Sequence, residues 1–230
     1  MVLKLAILGF DQIKFVVFDF DDTLVDEEYW IQSRWHKTLM TFSHISERDL
    51  LWDVFSRIYK AKGKNYKYHV DDTLLELKID KKWKQPIIEC FLQTRGIEKL
   101  ITGAKELLEL LKILNYRTGI ITNGLKKTHE YRVNLSQIRK FIDFIIYGDS
   151  VKKPDPMIFN HFFSIAGVNS PSEMLYIGND FNEDINSARS LKINTIWLTN
   201  SNEKCDDEFV HTSQSYLEIK DYFIFRKKIL

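Results

Sequence analysis

Phe15-Val16-Val17-Phe18-Asp19-Phe20-Asp21-Asp22-Thr23-Leu24 is the stretch that decides the fold. Its first four residues are apolar and either β-branched or aromatic, the composition of a short strand buried on both faces. In a parallel α/β sheet, ligands bind beyond the carboxyl ends of the strands, which places Asp19 and Asp21 on the binding rim. Side chains alternate along a strand, so the two carboxylates are expected on one face with Phe20 turned away. Carboxylates so placed repel each other unless a cation is shared or one of them is protonated. The pair is therefore a candidate metal and acid–base site.

Downstream the hydrophobic pattern becomes helical. Ile31, Trp35, Leu39 and Phe42 form one stripe, and Leu50, Leu51, Val54, Phe55, Ile58 and Tyr59 form a second. The second follows Ser46-x-x-Asp49, a capping signal, and ends at Gly63. Further helical pieces are expected near Asp71 and from Pro86 to Thr94, and nothing between Glu28 and Arg95 alternates like a strand. Asp71-Asp72-Thr73-Leu74 repeats the letters of the acidic strand end without an apolar strand before it, so it reads as a helix N-cap. Trp30, Trp35 and Trp52 read as core of this block. The basic, tyrosine-bearing loop Lys60 to Tyr68 reads as a solvated turn, with a substrate-facing loop as the sharper alternative.

From Ala104 a β/α rhythm sets in: helix 104–114, strand 117–122, helix 126–135, strand 141–147, helix 156–166, strand 173–177, helix 183–191, strand 194–198. It predicts an α/β fold, a doubly wound parallel Rossmann-like sheet with an all-helical cap inserted after the first strand. The boundaries read from sequence are 1–27 and 96–230 for the core and 28–95 for the cap.

Thirty-three basic and 32 acidic side chains give a net charge of +1, which removes the electrostatic case for a nucleic-acid polymer as partner and leaves a small anion open. Cys90 and Cys205 have neither zinc-ligand nor disulfide-framework spacing, which points to a reduced, cytoplasmic protein. No apolar stretch approaches the roughly 20 residues of a membrane span, so no membrane partner is expected. The run Leu5 to Leu8 lacks an Ala-x-Ala-like cleavage site and reads as mature sequence. His36, His44, His69, His129, His161 and His211 show no metal-ligand spacing and are assigned no chemistry.

Four expected strand ends carry particular polar groups: Asp19 and Asp21; Thr122-Asn123-Gly124; Lys153, expected on the rim, in Lys152-Lys153-Pro154-Asp155-Pro156; and Gly178-Asn179-Asp180 with Asp184. Singly, each has a bland reading: a strand-end acid, a turn, a solvated lysine, a first-turn acid favoured by the helix dipole. Together on one rim they supply a nucleophile, an acid–base, a hydroxyl, a cation and oxygen ligands for Mg²⁺, the parts of phosphoryl transfer.

These segments, Val16 to Leu24, Gly119 to Gly124, Lys153 to Phe159 and Tyr176 to Ile185, resemble in order and spacing the haloacid dehalogenase-like hydrolase superfamily, in the branch with a helical cap after the first strand. The resemblance implies a Mg²⁺-dependent phosphatase acting on a small phosphorylated metabolite, such as a sugar phosphate or nucleotide, through an aspartyl-phosphate. It implies Asp19 as nucleophile and Asp21 as acid and then base. Thr122, Asn123 and Lys153 would hold the phosphate. Mg²⁺ would be held by the Asp19 side chain, the Asp21 backbone carbonyl and Asn179 or Asp180, with Thr23 and Asp184 in support. Asp22 stands where many relatives have glycine, an exchange expected to be tolerated. In the commoner spacing the metal acid directly follows the glycine, which makes Asn179 the ligand; in a shorter one the pair is Asp180 and Asp184. The resemblance also implies a cap that closes over the site. Rival readings are a phosphomutase of the same fold, a phospho-accepting receiver-type domain and a weakly active scaffold. Haloacid dehalogenase chemistry is disfavoured by the carboxylate at Asp21, because a halide leaves without a proton.

Overall fold

A computed structural model describes residues 12–47, 49–199, 205 and 207–227, with the main chain only at 226 and 227. The run Leu5 to Leu8 lies outside the described residues. In chain order the main elements are β1 (Phe15–Phe18), α1 (Glu27–Thr41), α2 (Leu50–Lys62), α3 (His69–Glu76), α4 (Lys84–Gln93), α5 (Ala104–Ile113), β2 (Arg117–Thr122), α6 (Lys126–Leu135), β3 (Phe144–Tyr147), α7 (Met157–Ala166), β4 (Met174–Gly178), a π-helical turn (Phe181–Ile185), α8 (Asn186–Ser190), β5 (Asn194–Leu198), β6 (Val210–Ser213) and α9 (Tyr216–Lys227). Contacts divide the chain into two compact units, Met1–Asp26 with Leu100–Leu230, and Glu27–Lys99.

The first unit is a six-stranded sheet in the order β3-β2-β1-β4-β5-β6, and every neighbouring pair is parallel. This is the doubly wound Rossmann-like arrangement. Alternation along β1 sends Val16 and Phe18 to one face, where they pack with Leu107, Leu111, Val133, Ile219 and Phe223 of α5, α6 and α9. Phe15 and Val17 go to the other face, against Phe159 and Phe162 of α7 and Ala188 of α8.

Three local expectations are corrected. β3 starts at Phe144 rather than 141, because Arg139–Phe141 form a 3₁₀ turn. The Thr118 hydroxyl donates to the Phe141 carbonyl, and Asp143 accepts from the Thr118 N–H at 2.8 Å, so the chain joins the sheet only after Asp143. The helix expected over 183–191 opens as the π turn, leaving α8 to span only Asn186–Ser190. β6 and α9 were not anticipated. β6 is a short edge strand in which only Val210 and Ser213 are buried, whereas α9 carries Tyr216, Ile219 and Phe223 at helical spacing in the core.

The second unit is all-helical. Leu39, Phe42, Leu51, Phe55, Tyr59, Val70, Leu74 and Ile87 form its core, with Trp35 stacked on Phe91 at 3.8 Å. The Ser46-x-x-Asp49 box does not form: Asp49 is itself the N-cap of α2, at φ 64°, and its side chain accepts no capping bond. Gly63 ends that helix at φ 77°. Asp71 and Asp72 lie in the first turn of α3 rather than at its cap, which is Tyr68. They are held instead by Lys84 at 2.7 Å and by the Tyr66 hydroxyl at 2.6 Å. In the basic loop, Lys64 pairs with Glu27 at 2.5 Å. Residues 96–99 group with the helices: a Cβ on Gly96 would stand 2.4 Å from the Trp30 ring, and the Ile97 N–H donates to Ser33 Oγ at 2.8 Å. The unit junctions therefore fall after Asp26 and Lys99. Cys90 and Cys205 are both free, and no helix among the described residues is long and apolar enough to cross a membrane.

Candidate active site

The strand order reverses around β1, with β2 on one side and β4 on the other. In open α/β sheets the crevice beyond the carboxyl ends at such a point is where ligands bind. Asp19 leaves β1 there, its N–H donating to the Ile177 carbonyl of β4 at 2.9 Å. Gly178 ends β4 where a Cβ would stand 2.6 Å from the Asp184 carboxyl, so its bare backbone lets that carboxylate close onto the sheet.

Lys153 is the centre of a buried charge cluster. Its Nζ donates to Asp19 Oδ1 at 2.5 Å, to Asp184 Oδ1 at 2.6 Å and to the Tyr176 hydroxyl at 3.1 Å. An ammonium has three N–H donors, so all are used. Lys153 is not on an exposed rim: it is 4% exposed, Asp19 7% and Asp184 1%. Burial opposes the lysine's charge, yet the two carboxylates outweigh it and hold its pKa above the ordinary lysine value. Burial pushes the Asp19 carboxyl up to about 8 against the pull of Lys153, with Asp184 and then Asp21 adding to the rise. The Tyr176 hydroxyl, 3.0 Å from Asp184 Oδ1 and 3.3 Å from the Ile121 carbonyl, is held well above its usual pKa by burial and by both carboxylates.

Asp21 does not share this cation. β1 ends at Phe18, so strand alternation no longer governs Asp21, whose segment forms a turn bridged to Val25. His129 Nε2 on α6 donates to Asp21 Oδ2 at 2.8 Å, and Arg132 Nη1, one turn on, donates to Oδ1 at 2.6 Å. Burial alone would raise the Asp21 carboxyl, but the His129 hydrogen bond and the Arg132 charge hold it below its ordinary value. The repulsion expected between Asp19 and Asp21 is thus met by giving each its own cation, Lys153 for Asp19 and Arg132 for Asp21. His129, Arg132 and Tyr176 were not identified from sequence. The first two stand at i and i+3 on one helix face after Thr122-Asn123-Gly124, a spacing that shows they share a face but not what they meet.

Thr122 is buried at the end of β2, its Oγ1 accepting from the Gly124 N–H at 3.1 Å. The Asn123 side chain is committed to the Lys153 loop: its Oδ1 accepts from the Lys153 N–H at 2.7 Å, and its Nδ2 donates to the Lys153 carbonyl at 3.0 Å and to Glu183 at 2.8 Å. A phosphate would meet its backbone rather than that amide. Thr23 donates to Asn179 Oδ1 at 3.0 Å. Asp180 Oδ1 caps the π turn, accepting from the N–H groups of Asn182 and Glu183 at 2.8 and 2.7 Å, while the Asp180 N–H donates to Asp184 Oδ2 at 3.0 Å. Asp22 has φ 54°, a left-handed conformation natural to glycine and tolerated by aspartate.

Magnesium fits this donor set on two grounds. With both ionised, Asp19 and Asp184 are two buried carboxylates against one ammonium, Lys153, so the cluster is one positive charge short, in line with the raised pKa of Asp19. Oδ2 of Asp19 accepts no hydrogen bond from any described residue, and the neighbouring groups are oxygen donors. Among the described residues no three His, Cys, Asp or Glu side chains converge as a metal-binding group. Mg²⁺ commonly binds through one or two carboxylates and completes its shell with backbone oxygen, water and substrate phosphate.

Residues 16–198 match the family model described as haloacid dehalogenase-like hydrolase. The chain is 26% identical over 221 residues to the glyceraldehyde 3-phosphate phosphatase of Pyrococcus furiosus, covering 93% of this chain and 89% of the relative. It is 28% identical over 194 residues to the protein of the same name from Pyrococcus abyssi, covering 81% of each. In fold it is similar to YfnB of Bacillus subtilis, solved bound to magnesium, with a TM-score of 0.65 at 19% identity over 93% of this chain and 98% of that one.

Proposed function

This chain belongs to the haloacid dehalogenase-like hydrolase family, and on that premise we propose that it is a magnesium-dependent phosphatase of a small phosphorylated metabolite, working through an aspartyl-phosphate on Asp19. The observation that carries the reading is Asp19 at the sheet's reversal point, with Lys153 bonded to one carboxylate oxygen and the other without a bond from the described residues. That second oxygen attacks phosphorus, the P–O ester bond breaks, and the departing alkoxide takes a proton delivered at Asp21. Water, deprotonated by Asp21, then hydrolyses the acyl phosphate and restores the Asp19 carboxylate. The lowered pKa of Asp21 suits the second, base-requiring step and works against the first, in which the same carboxyl must arrive protonated. Thr122 holds the phosphate, Lys153 supplies the positive charge beside it and binds it by passing one of its three N–H donors from the cluster to a phosphate oxygen, and Asn123 fixes the Lys153 loop. Mg²⁺, when bound, neutralises phosphate oxygens; the residues that would hold it are Asp19, the Asp21 backbone carbonyl and Asn179 or Asp180, with Asp184 and Thr23 in support. The helical unit is assigned the family's cap role, choice of leaving group. The two free cysteines fit a reducing, cytoplasmic setting.

The test is phosphate release from a panel headed by glyceraldehyde 3-phosphate and including sugar phosphates, nucleoside monophosphates and small phospho-acids. Release that is lost in EDTA and restored by Mg²⁺ is expected; no release from any ester in Mg²⁺ overturns the reading.

Asn179 or Asp180 as metal ligand is decided by the Mg²⁺ concentration for half-maximal activity. Asp180 is occupied in capping, which favours Asn179. Asn179→Asp is then expected to lower that concentration, since it adds a charge beside the cation. Asp180→Ala is expected to cost about 1 kcal/mol of stability through the lost cap, with a smaller shift in metal dependence. The reverse ranking assigns the metal to Asp180.

A further inference from the structure

We propose that His129 and Arg132 are positioning residues for Asp21, forming a two-point clamp on α6 that holds the acid–base carboxylate in its working orientation. The proposal rests on the phosphatase reading above. Each oxygen of Asp21 meets one donor, at 2.8 and 2.6 Å, so neither rotation about its terminal bond nor a change of rotamer is possible without breaking a charge-assisted hydrogen bond.

A purely structural ion pair would serve to neutralise a buried acid. Here the burial runs the other way: the Asp21 side chain is 25% exposed, while those of His129 and Arg132 are 9% and 3% exposed. The acid keeps contact with water while both of its partners are buried, so the two bonds hold a reachable carboxylate in place from the interior side. The imidazole is also seated for this contact. Its Nδ1 bonds to no described residue, so Asp21 is its polar anchor. One side of the ring meets Gly124, where any Cβ would stand 1.9 Å from it, and the other meets the Phe20 ring at 5.4 Å. The Arg132 guanidinium lies 5.2 Å from the same Phe20 ring. Phe20, between the two aspartates in sequence, thereby braces both arms of the clamp. Gly124 follows the phosphate-binding Thr122, so the turn that serves the phosphate also leaves room for the ring that orients the acid–base group.

The clamp's effect on turnover runs through Asp21, and that is what the experiment reads. His129→Leu, His129→Gln, Arg132→Met and Arg132→Lys are each made in the wild-type and Asp21→Asn backgrounds. They are assayed on phenyl phosphate, whose leaving group needs a proton, and on 2,4-dinitrophenyl phosphate, whose leaving group does not. His129→Leu and Arg132→Met are expected to lower kcat for phenyl phosphate by about 10- to 100-fold, the scale of a displaced catalytic group. KM should stay within about 2-fold, because the substrate is bound elsewhere. Single-turnover phenol release should suffer more than dinitrophenol release. His129→Gln, which keeps a donor, should recover part of the loss. In the Asp21→Asn background the same substitutions should cost nothing further. Losses that add fully to that of Asp21→Asn, or that fall on KM instead of kcat, overturn the clamp and leave the phosphatase reading standing. A wild-type protein inactive on both esters and on the metabolite panel overturns the phosphatase reading and the clamp with it. Should Arg132→Met not fold, Arg132→Lys and His129→Gln decide the matter alone.

Discussion

Asp19→Asn is expected to abolish phosphate release while leaving the fold at least as stable as before. The amide keeps the size of the carboxylate and an oxygen for Lys153, but it is not a nucleophile toward phosphorus. Loss of a covalent nucleophile is worth roughly 10⁴- to 10⁶-fold in kcat. The stability side follows from the charge count: Asp19 and Asp184 share the single ammonium of Lys153 in a buried cluster. Above the raised Asp19 pKa of about 8, removing that negative charge leaves Lys153 and Asp184 as a balanced pair and the melting temperature should rise; below it, where the wild-type carboxyl is already neutral, it should hold. Phosphate release and thermal unfolding of the purified variant check both halves. Turnover near that of the wild type would sink the nucleophile assignment, and a large fall in melting temperature would contradict the charge count.

Lys153→Ala is expected to fail on both measures at once. The ammonium is the fixed cation beside the reacting groups, and losing such a donor costs about 10²- to 10³-fold in kcat. Its removal also strands Asp19 and Asp184, which are 7% and 1% exposed. Breaking a buried ion pair by removing one partner costs about 3–5 kcal/mol, visible as a lower urea midpoint. Adding Asp184→Asn to Lys153→Ala removes one stranded charge and should recover much of the stability without recovering activity. A single variant that loses stability but keeps its specific activity would make Lys153 a structural residue only.

The site was legible where chemistry sits next to a strong local signal. Asp19 stood out because it directly follows Phe15-Val16-Val17-Phe18, an apolar run short enough to be a buried strand. Lys153 and Asp184 stood out because their segments recur in order after later strands. His129 and Arg132 did not: a histidine and an arginine on a helix are ordinarily solvated, and neither carries metal-ligand spacing. Tyr176 read as one more apolar strand position, and its hydroxyl, bonded to Lys153 and Asp184, had no local mark. β6 was missed because a four-residue edge strand buries too little to show alternation. Lys153, expected on the rim, is instead buried by two carboxylates that arrive from β1 and from the π turn after β4.

By itself the sequence determined the order of strands and helices as far as β5, the all-helical character of 28–95 and the parallel sheet, because period 2 and period 3.6 are properties of the local backbone that burial imprints on neighbouring residues. Only the tertiary structure decided which polar groups meet. That β1 lies between β2 and β4 is what brings Asp19, Thr122 and Asn179 to one edge, and that α6 packs where Phe20 is buried is what gives Asp21 two donors of its own. Periodicity encodes the face a residue occupies, whereas a partner across the site is set by long-range packing between segments more than a hundred residues apart, for which a single sequence carries no local signal.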